Sequence, residues 1–410
     1  MLHRARFAGR RDLERFLAAS PQEQQALVET GSRHALERNW VAEHGFTMPN
    51  RRKYPWQWLW DSCFHAIAWS AIGDERCRTE LESLFSLQLS NGFMPHMGYH
   101  KDPRRSLALW HSEGRSDITQ PPMYGHALRV LAARGFAVEH LHERAAAALR
   151  HLFDARRDPG SGLIRVLHPW ETGCDDSPRW DGWEERPFSE RRWNRRKREL
   201  VRSIVLEQGA AAANPEFDVA SAGFSALVSF NMRELAALTG DSDLLAKGDA
   251  IAAAIEGTWA EQARTWADVR LCGRGSGALA ATLDGLLPVL VSVEQERVAA
   301  AFGDIFAAER YWRPFGPSGV AADERGYQPR RYWRGDAWPQ EIYLLLVAAR
   351  RSGREREARS LADRLVTGCV GSCFSERWNP ESGVALGPVP QGWAALAAEG
   401  VRALAGEGIA

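Results

Sequence analysis

Apolar residues recur three and four positions apart along nearly the whole chain, and runs of alternating β-branched residues are scarce, a pattern that predicts a helical protein. Ser20-Pro21-Gln22-Glu23 joins an N-cap serine, a first-turn proline and a capping-box glutamate, so a helix is expected to begin there and run to about Asn39. Further amphipathic segments fall near 62–72, 74–90, 122–134, 137–155, 190–206, 217–239, 241–264, 278–288, 293–307, 336–350, 354–368 and 391–405. Between them lie long stretches rich in aromatic residues, Gly and Pro: 40–61, 91–121, 156–189, 308–335 and 369–390. Loops longer than ~12–15 residues inside a compact domain are usually functional or disordered, and these carry too many tryptophans for disorder. They are expected to converge on one site.

No low-complexity linker and no sequence repeat divides the chain, so residues 1–410 read as one helical domain, with 156–215 as a loop-and-helix insertion. Site-forming loops at regular intervals among about a dozen helices suit two concentric rings of six, an all-α (α/α)6 toroid. Periodicity by itself leaves a solenoid or an irregular helical domain open.

Composition narrows the partners. The chain has 410 residues, 45% hydrophobic and 25% charged, enough apolar surface for a large core. Lys+Arg and Asp+Glu both total 52, so no global field draws it to nucleic acid or an anionic membrane, and its partner is expected to be a small molecule. The basic start MLHRARFAGRRDLERF lacks the apolar core of a signal peptide and no segment is apolar enough to span a bilayer, so a cytoplasmic location is expected. A homo-oligomer is compatible with all of this. Cys63, Cys77, Cys174, Cys272, Cys369 and Cys373 are scattered and read as reduced, structural residues. His65, His96 and His126 lack metal-ligand spacing, and neither a metal nor a cofactor is expected.

Seventeen tryptophans against seven tyrosines is a bias, and many of the tryptophans lie in the long loops. Flat rings stack on the C–H faces of a sugar while carboxylates bind its hydroxyls, so a carbohydrate site follows; plugging of helix ends is the alternative reading. The stretch WETGCDDSPRWDGW (170–183) concentrates both residue types. Glycosidic bonds are cleaved between two carboxyl groups, one protonating the leaving oxygen and the other activating water or attacking directly. Asp175 and Asp176 are adjacent, and like charge with partial burial raises a carboxyl pKa, as a general acid requires. Glu171 and Asp181 have a structural alternative, capping backbone N–H groups or pairing with Arg179.

WETGCDDSPRWD resembles the Glu-Ser-Gly-x-Asp-Asn-Ser-Pro-Arg-Trp motif of family-63 glycoside hydrolases, relatives of the trehalases. YPWQWLWDSCFHAIAW (54–69), SDITQPPMYGHALRVL (116–131) and YWRGDAWPQEIYLLL (332–346) agree with that family in order and spacing. FSERWNPESGVALG (374–387) resembles its Phe-x-Glu-x-x-x-Pro-x-Thr-Gly stretch. The resemblance implies a toroid and an inverting mechanism on an α-linked glycoside, with Asp175 as general acid and Glu376 as general base. Inversion places the two carboxyls ~6.5–9.5 Å apart, leaving room for a water. The chain's length is similar to that of the compact branch acting on mannosylglycerate or glucosylglycerate. A trehalase-like hydrolase of a neutral disaccharide, and an inactive sugar-binding toroid, are the alternatives.

By motif position Trp60 and Asp61 form the pocket floor, with a helix N-cap after a core tryptophan as the alternative. Tyr54, Trp58, Tyr99, Gln120, Tyr124, Glu171, Arg179, Trp180, Tyr332, Trp333, Arg334, Gly335, Trp338 and Gln391 are further lining candidates, each of which could instead simply pack. A glycerate carboxylate needs a charged partner, and Arg191–Arg198 holds six cations in eight residues. Arg195, Arg196 and Arg198 are the candidate clamp; a solvated helix face and nucleic-acid contact are the alternatives. Asp336 and Ile342 depart from the family pattern, leaving glucose against mannose open, and Asp336 and Glu341 rival Glu376 as base. The Gly-rich segments 273–277 and 383–387 are candidates for movement.

Overall fold

A computed structural model describes residues 11–183, 186–272 and 279–408. The Gly-rich segment 273–277 and the first residue of the expected helix 278–288 therefore lie outside the described residues.

Two kinds of helix alternate along the chain. The first kind is buried on nearly every side: α2 (Leu59–Ala71), α4 (Tyr124–Ala133), α7 (Ala222–Thr239), the 3₁₀ helix Asp284–Leu290, α10 (Pro339–Arg351), and the 3₁₀ helix Gly392–Leu396 running into α12 (Ala397–Leu404). The second kind buries one stripe: α1 (Pro21–Asn39), α3 (Arg76–Phe85), α5 (His142–Arg156), α8 (Ser242–Glu256), α9 (Gln295–Ile305) and α11 (Glu355–Gly371). A helix that is apolar all round must be enclosed, whereas an amphipathic one covers it from outside. In α2 all residues are buried, whereas α1 buries Val28, Ser32, Ala35, Leu36 and Asn39 along one face.

The six enclosed elements pack in a closed circuit, α2 on α4, α4 on α7, α7 on Asp284–Leu290, that helix on α10, α10 on Gly392–Leu396, and this last back on α2. The first outer helix, α1, seals the seam by packing on Gly392–Leu396 and α12. This is the expected (α/α)6 toroid. The capping box is complete, with the Ser20 side chain accepting from the Glu23 N–H while the Glu23 carboxylate accepts from the Ser20 N–H at 2.8 Å.

The connections are asymmetric. Inner-to-outer connections run two to eight residues (72–75, 134–141, 240–241, 291–294, 352–354), while outer-to-inner connections are long (40–58, 86–123, 157–221, 306–338, 372–391). Inner helices are mutually parallel because an antiparallel outer helix separates each pair, so every long connection arrives at the same rim, where the inner helices begin. Local sequence sets these starts: Pro339 opens α10, and the Gln391 side chain caps Gly392–Leu396 by accepting from the Trp393 N–H at 3.2 Å.

One helix, α6 (Glu190–Arg202), stands outside the alternation, between α5 and α7. It ends at Arg202, short of the expected 206, because residues 205–213 form a hairpin, Val205–Glu207 against Ala210–Ala213. Gln208 and Gly209 both have positive φ (48° and 81°), the two-residue turn that matches strand twist. The expected helix 241–264 likewise stops at Glu256, and Trp259–Ala260 pairs with Thr265–Trp266. A helical segment at 11–18 has no counterpart in the expectation. No helix among the described residues is long and apolar enough to cross a membrane.

Candidate active site

The rim gathers the tryptophans. Trp60 from the first turn of α2, Trp333 and Trp338 before α10, and Trp393 from the last inner element form a ring: Trp60–Trp393 5.7 Å, Trp393–Trp338 5.8 Å, Trp338–Trp333 3.7 Å and Trp333–Trp60 6.5 Å between centroids. Trp333 lies flat on Trp338, 7° from parallel, and takes φ 58°, a left-handed backbone that the stacking holds in place. Trp60 and Asp61 lie inside α2 rather than in the loop before it; Trp58 occupies the N-cap position. Asp61 is buried and accepts from the Gln391 amide, and burial pushes its carboxyl up to about 6 against the opposing charge of His65. The Gln120 amide oxygen accepts from the Trp60 N–H at 3.4 Å.

A second aromatic wall runs around the rim through Tyr54, Trp58, His96, Trp110 and Trp170, with successive centroids 5.7, 4.6, 6.0 and 5.9 Å apart. Tyr99 joins it, 4.7 Å from Trp56 and accepting from Trp110 Nε1 at 3.0 Å. Burial holds His96 down at about 3, so this wall is uncharged near neutrality.

Glu376 meets that wall at Tyr54, and Asp175 lies near the same tyrosine. Glu376 sits in the turn before the hairpin Arg377–Trp378/Ala385–Leu386, with its backbone oxygen accepting from Trp393 Nε1 at 2.9 Å. The Tyr54 hydroxyl lies by its carboxylate, favouring the ionised form, and Tyr332 lies by Tyr54. Burial raises the Glu376 carboxyl to about 7, opposed by Arg377, whose Nε lies 3.8 Å away, and by the Tyr54 hydrogen bond. Gly387 (φ 78°) leaves room for that carboxylate: a Cβ there would stand 2.1 Å from Glu376 Oε2. Asp175 is held by Trp193 Nε1, which donates to its carbonyl oxygen at 2.7 Å, and by Trp180 Nε1, which donates to the Cys174 carbonyl at 2.9 Å. The charges of Asp175 and Glu376 both act on Tyr54 and on Tyr332, so both acids lie near this phenol pair. Gly173 (φ 77°) lays the acid-bearing loop against Trp60; a Cβ there would come within 2.5 Å of the ring.

Several expected lining residues have other work. Glu171 is fully buried, takes both nitrogens of the buried Arg156 at 2.8 and 3.2 Å, and accepts from the Thr119 and Leu167 N–H groups at 3.1 and 2.6 Å. No lone pair remains for a sugar, which corrects its reading as a binding residue. Tyr124 is buried against Phe85 of the outer ring, centroids 5.5 Å apart. Arg179 is bound to Asp268 at 3.0 Å and Asp284 at 2.7 Å, not to Asp181; Asp181 takes both arms of Arg334 at 2.8 and 2.6 Å. Trp180 packs on Phe217 and Trp183 behind the acid loop, and Gly335 lies against the Tyr327 ring.

The arginine clamp is also corrected. Arg195 and Arg198 are exposed, and Arg196 pairs with Glu216 at 2.8 Å. The cation that α6 buries is Lys197, whose ammonium contacts both the Asp175 and Asp176 carboxylates. The sequence signal for it was the phase of the helix: Trp193, Lys197, Leu200 and Val201 form its buried stripe. Trp393 and Arg377 are further rim residues that motif position did not single out.

Asp336 and Glu341 are placed differently from Glu376. Asp336 is fully buried and paired with Arg377 at 2.6 Å. Glu341 clusters with Cys174 and Asp284, ligand-type atoms within 4.8 Å of one another, but the Arg179 guanidinium on Asp284 already supplies the cation there. Ile342 is fully buried with its Cδ1 against Gly316. His126 is a structural bridge between Glu234 at 2.7 Å and Tyr343 at 2.8 Å.

Residues 54–394 match the family model described as the mannosylglycerate hydrolase MGH1-like glycoside hydrolase domain, most of the chain. The chain belongs to that family. It is a glycoside hydrolase, as the family-63 resemblance implied. Among its relatives, the mannosylglycerate hydrolase of Thermus thermophilus is 29% identical over 88% of this chain and 97% of its own length. The glucosylglycerate hydrolase of Mycolicibacterium hassiacum is 27% identical over 84% and 91%. The crystal structure of a family-63 mannosylglycerate hydrolase from Thermus thermophilus in complex with Tris and D-glycerate superposes with a TM-score of 0.79 at 26% identity, covering 90% of this chain and 99% of that one. Neutral trehalase from Saccharomyces cerevisiae, 15% identical with a TM-score of 0.54 over 87% of this chain and 73% of that one, shares the fold.

Proposed function

We propose that this glycoside hydrolase cleaves an α-linked sugar from glycerate, in mannosylglycerate or glucosylglycerate, by single displacement with inversion. Asp175 protonates the leaving oxygen and Glu376 takes a proton from the attacking water. The observation that carries this reading is the shared Tyr54–Tyr332 pair. Glu376 holds one end through a hydrogen bond, and the charge of Asp175 acts on the same two phenols. Two carboxylates bordering one aromatic compartment are what acid–base cleavage of a sugar requires. The relatives that act on glycerate glycosides and the D-glycerate complex support the leaving group.

Trp60, Trp333, Trp338 and Trp393 supply the stacking faces, and Asp61, Gln120 and Gln391 the hydroxyl partners. The test is to follow hydrolysis of mannosylglycerate, glucosylglycerate and trehalose by NMR. The expected result is release of glycerate, with the β-anomer of the sugar formed first. Equal or faster turnover of trehalose dismisses the glycerate leaving group, and an α-anomer formed first dismisses water activation by Glu376.

A further inference from the structure

A general acid must carry its proton when the bond breaks, yet an ammonium in contact with a carboxylate favours the ionised form. Lys197 makes that contact with Asp175, and with Asp176 as well. Only 2% of the lysine side chain and 12% of the Asp175 side chain are exposed, so bulk water screens the contact little. Burial and the charge of Asp175 raise the Asp176 carboxyl to about 7, so above that pH the carboxylate pair shares one positive charge.

The other groups around them do not change this balance. His168 donates from Nε2 to the Lys197 carbonyl at 2.8 Å and accepts from the Trp170 N–H, and burial lowers its imidazole to about 3, so it is neutral. The Arg334 guanidinium reaches the Asp176 carbonyl at 3.2 Å but is neutralised by Asp181. Arg179 is spent on Asp268 and Asp284, Glu190 adds negative charge near Asp176, and Tyr54 and Tyr332 are neutral phenols. The Lys197 ammonium stands 6.0 Å from the ring of Trp170, the last member of the aromatic wall, on the same side as Asp175.

We infer that Lys197 is a positioning residue that couples recognition of an acidic leaving group to protonation of Asp175: the leaving group's carboxylate takes the ammonium that Asp175 and Asp176 now share, and Asp175 takes up a proton. The inference rests on the proposed glycerate substrate and on Asp175 as acid. A third carboxylate beside one ammonium leaves two uncompensated negative charges in a nearly dry site, and a proton drawn from solvent removes one of them. That proton passes from Asp175 to the leaving oxygen as the glycosidic bond breaks, while Glu376 takes one from the attacking water. Asp175 is then ionised again and regains the lysine as glycerate departs. A neutral leaving group would not arm the acid in this way, so the same contact selects for the carboxylate.

The test is calorimetric titration of D-glycerate into the protein at pH 7.5 in two buffers of different ionisation enthalpy, with Lys197→Met and Lys197→Arg alongside. The wild type is expected to take up close to one proton per site on binding. Lys197→Arg should keep that uptake, and Lys197→Met, whose carboxylate pair already retains a proton, should lose it. In parallel, kcat/KM is compared for the glycerate glycoside and for the same sugar α-linked to glycerol. The wild-type preference for glycerate should fall at least ~10-fold in Lys197→Met. No proton uptake by the wild type, or equal losses on both substrates with uptake unchanged in Lys197→Met, overturns the inference. The wild-type proton count decides even if Lys197→Met does not fold. Failure to hydrolyse either glycerate glycoside is a separate result that refutes the proposed substrate and this coupling with it.

Discussion

The Tyr54 hydroxyl lies against the Glu376 carboxylate and favours its ionised form, with Tyr332 beside it. The proposed base thus has a phenol against it, and that contact works against burial, which has raised Glu376 to about 7. A base must be ionised, so activity should climb as pH rises through that value. Tyr54→Phe removes a donor to the charged form. It should move the acidic limb of the kcat profile to higher pH and lower kcat at pH 7 by ~10-fold or more, the worth of one hydrogen bond to a charged group. An unmoved limb would remove Tyr54 from the base's machinery.

Asp175 and Glu376 should respond differently to the leaving group. Loss of a general acid costs ~10²–10⁴-fold on a substrate whose leaving oxygen needs a proton, and little where it does not. Asp175→Ala should therefore lose most of its activity on a glycerate glycoside yet retain most of it on the matching α-glycosyl fluoride. Glu376→Ala should lose both. Kinetics on the two substrates separate the roles, and equal losses in Asp175→Ala would count against proton donation.

Burial of Glu376 also has a cost to stability, with a definite sign. In the folded protein its carboxyl keeps a proton up to about 7, against 4.5 for the unperturbed group. Its contribution is fully present below pH 4.5 and is lost as pH rises through 7. Glu376→Gln has no such loss, so its stability relative to wild type should improve between pH 5 and pH 8, by at most about 3 kcal/mol. Urea unfolding at the two pH values measures it. A constant difference between variant and wild type would show that the carboxyl is not strained by burial.

The Arg156–Glu171 pair is a different kind of carboxylate site. Breaking a buried pair from one side leaves an uncompensated charge and costs about 3–5 kcal/mol. Glu171→Ala should lower stability by that order, measured by denaturant unfolding, while KM of the folded fraction stays within a few-fold of wild type. A large rise in KM with unchanged stability would restore Glu171 to the sugar site.

Much of this could be read in advance because it is local. The capping box marks α1 to the residue, and helical phase marks inner and outer elements through how much of each helix is apolar. What periodicity missed are strands of two to four residues, such as Ala210–Ala213, whose alanines favour helix and which exist only because a turn folds them onto Val205–Glu207. At the site, motif position put forward Asp175 and Glu376 as the acid and base. It misjudged Glu171, because an acid in a sugar-binding loop and an acid buried on arginine look alike until Arg156 is seen beside it. Charge density pointed to Arg195, Arg196 and Arg198, whereas the buried cation is Lys197, chosen by the side of α6 that faces inward. Counting cations finds the surface; phasing them finds the interior.

The seam of the toroid has a consequence for how the enzyme comes into being. Its proposed base and the tryptophan holding it, Glu376 and Trp393, are among the last parts of the ring to be synthesised, and the final inner element must dock between α2 and α10 before the compartment has walls. A chain still emerging from the ribosome therefore carries its proposed proton donor long before its proposed base. Catalysis begins only when the circle shuts, which makes turnover itself a report that the ring has closed.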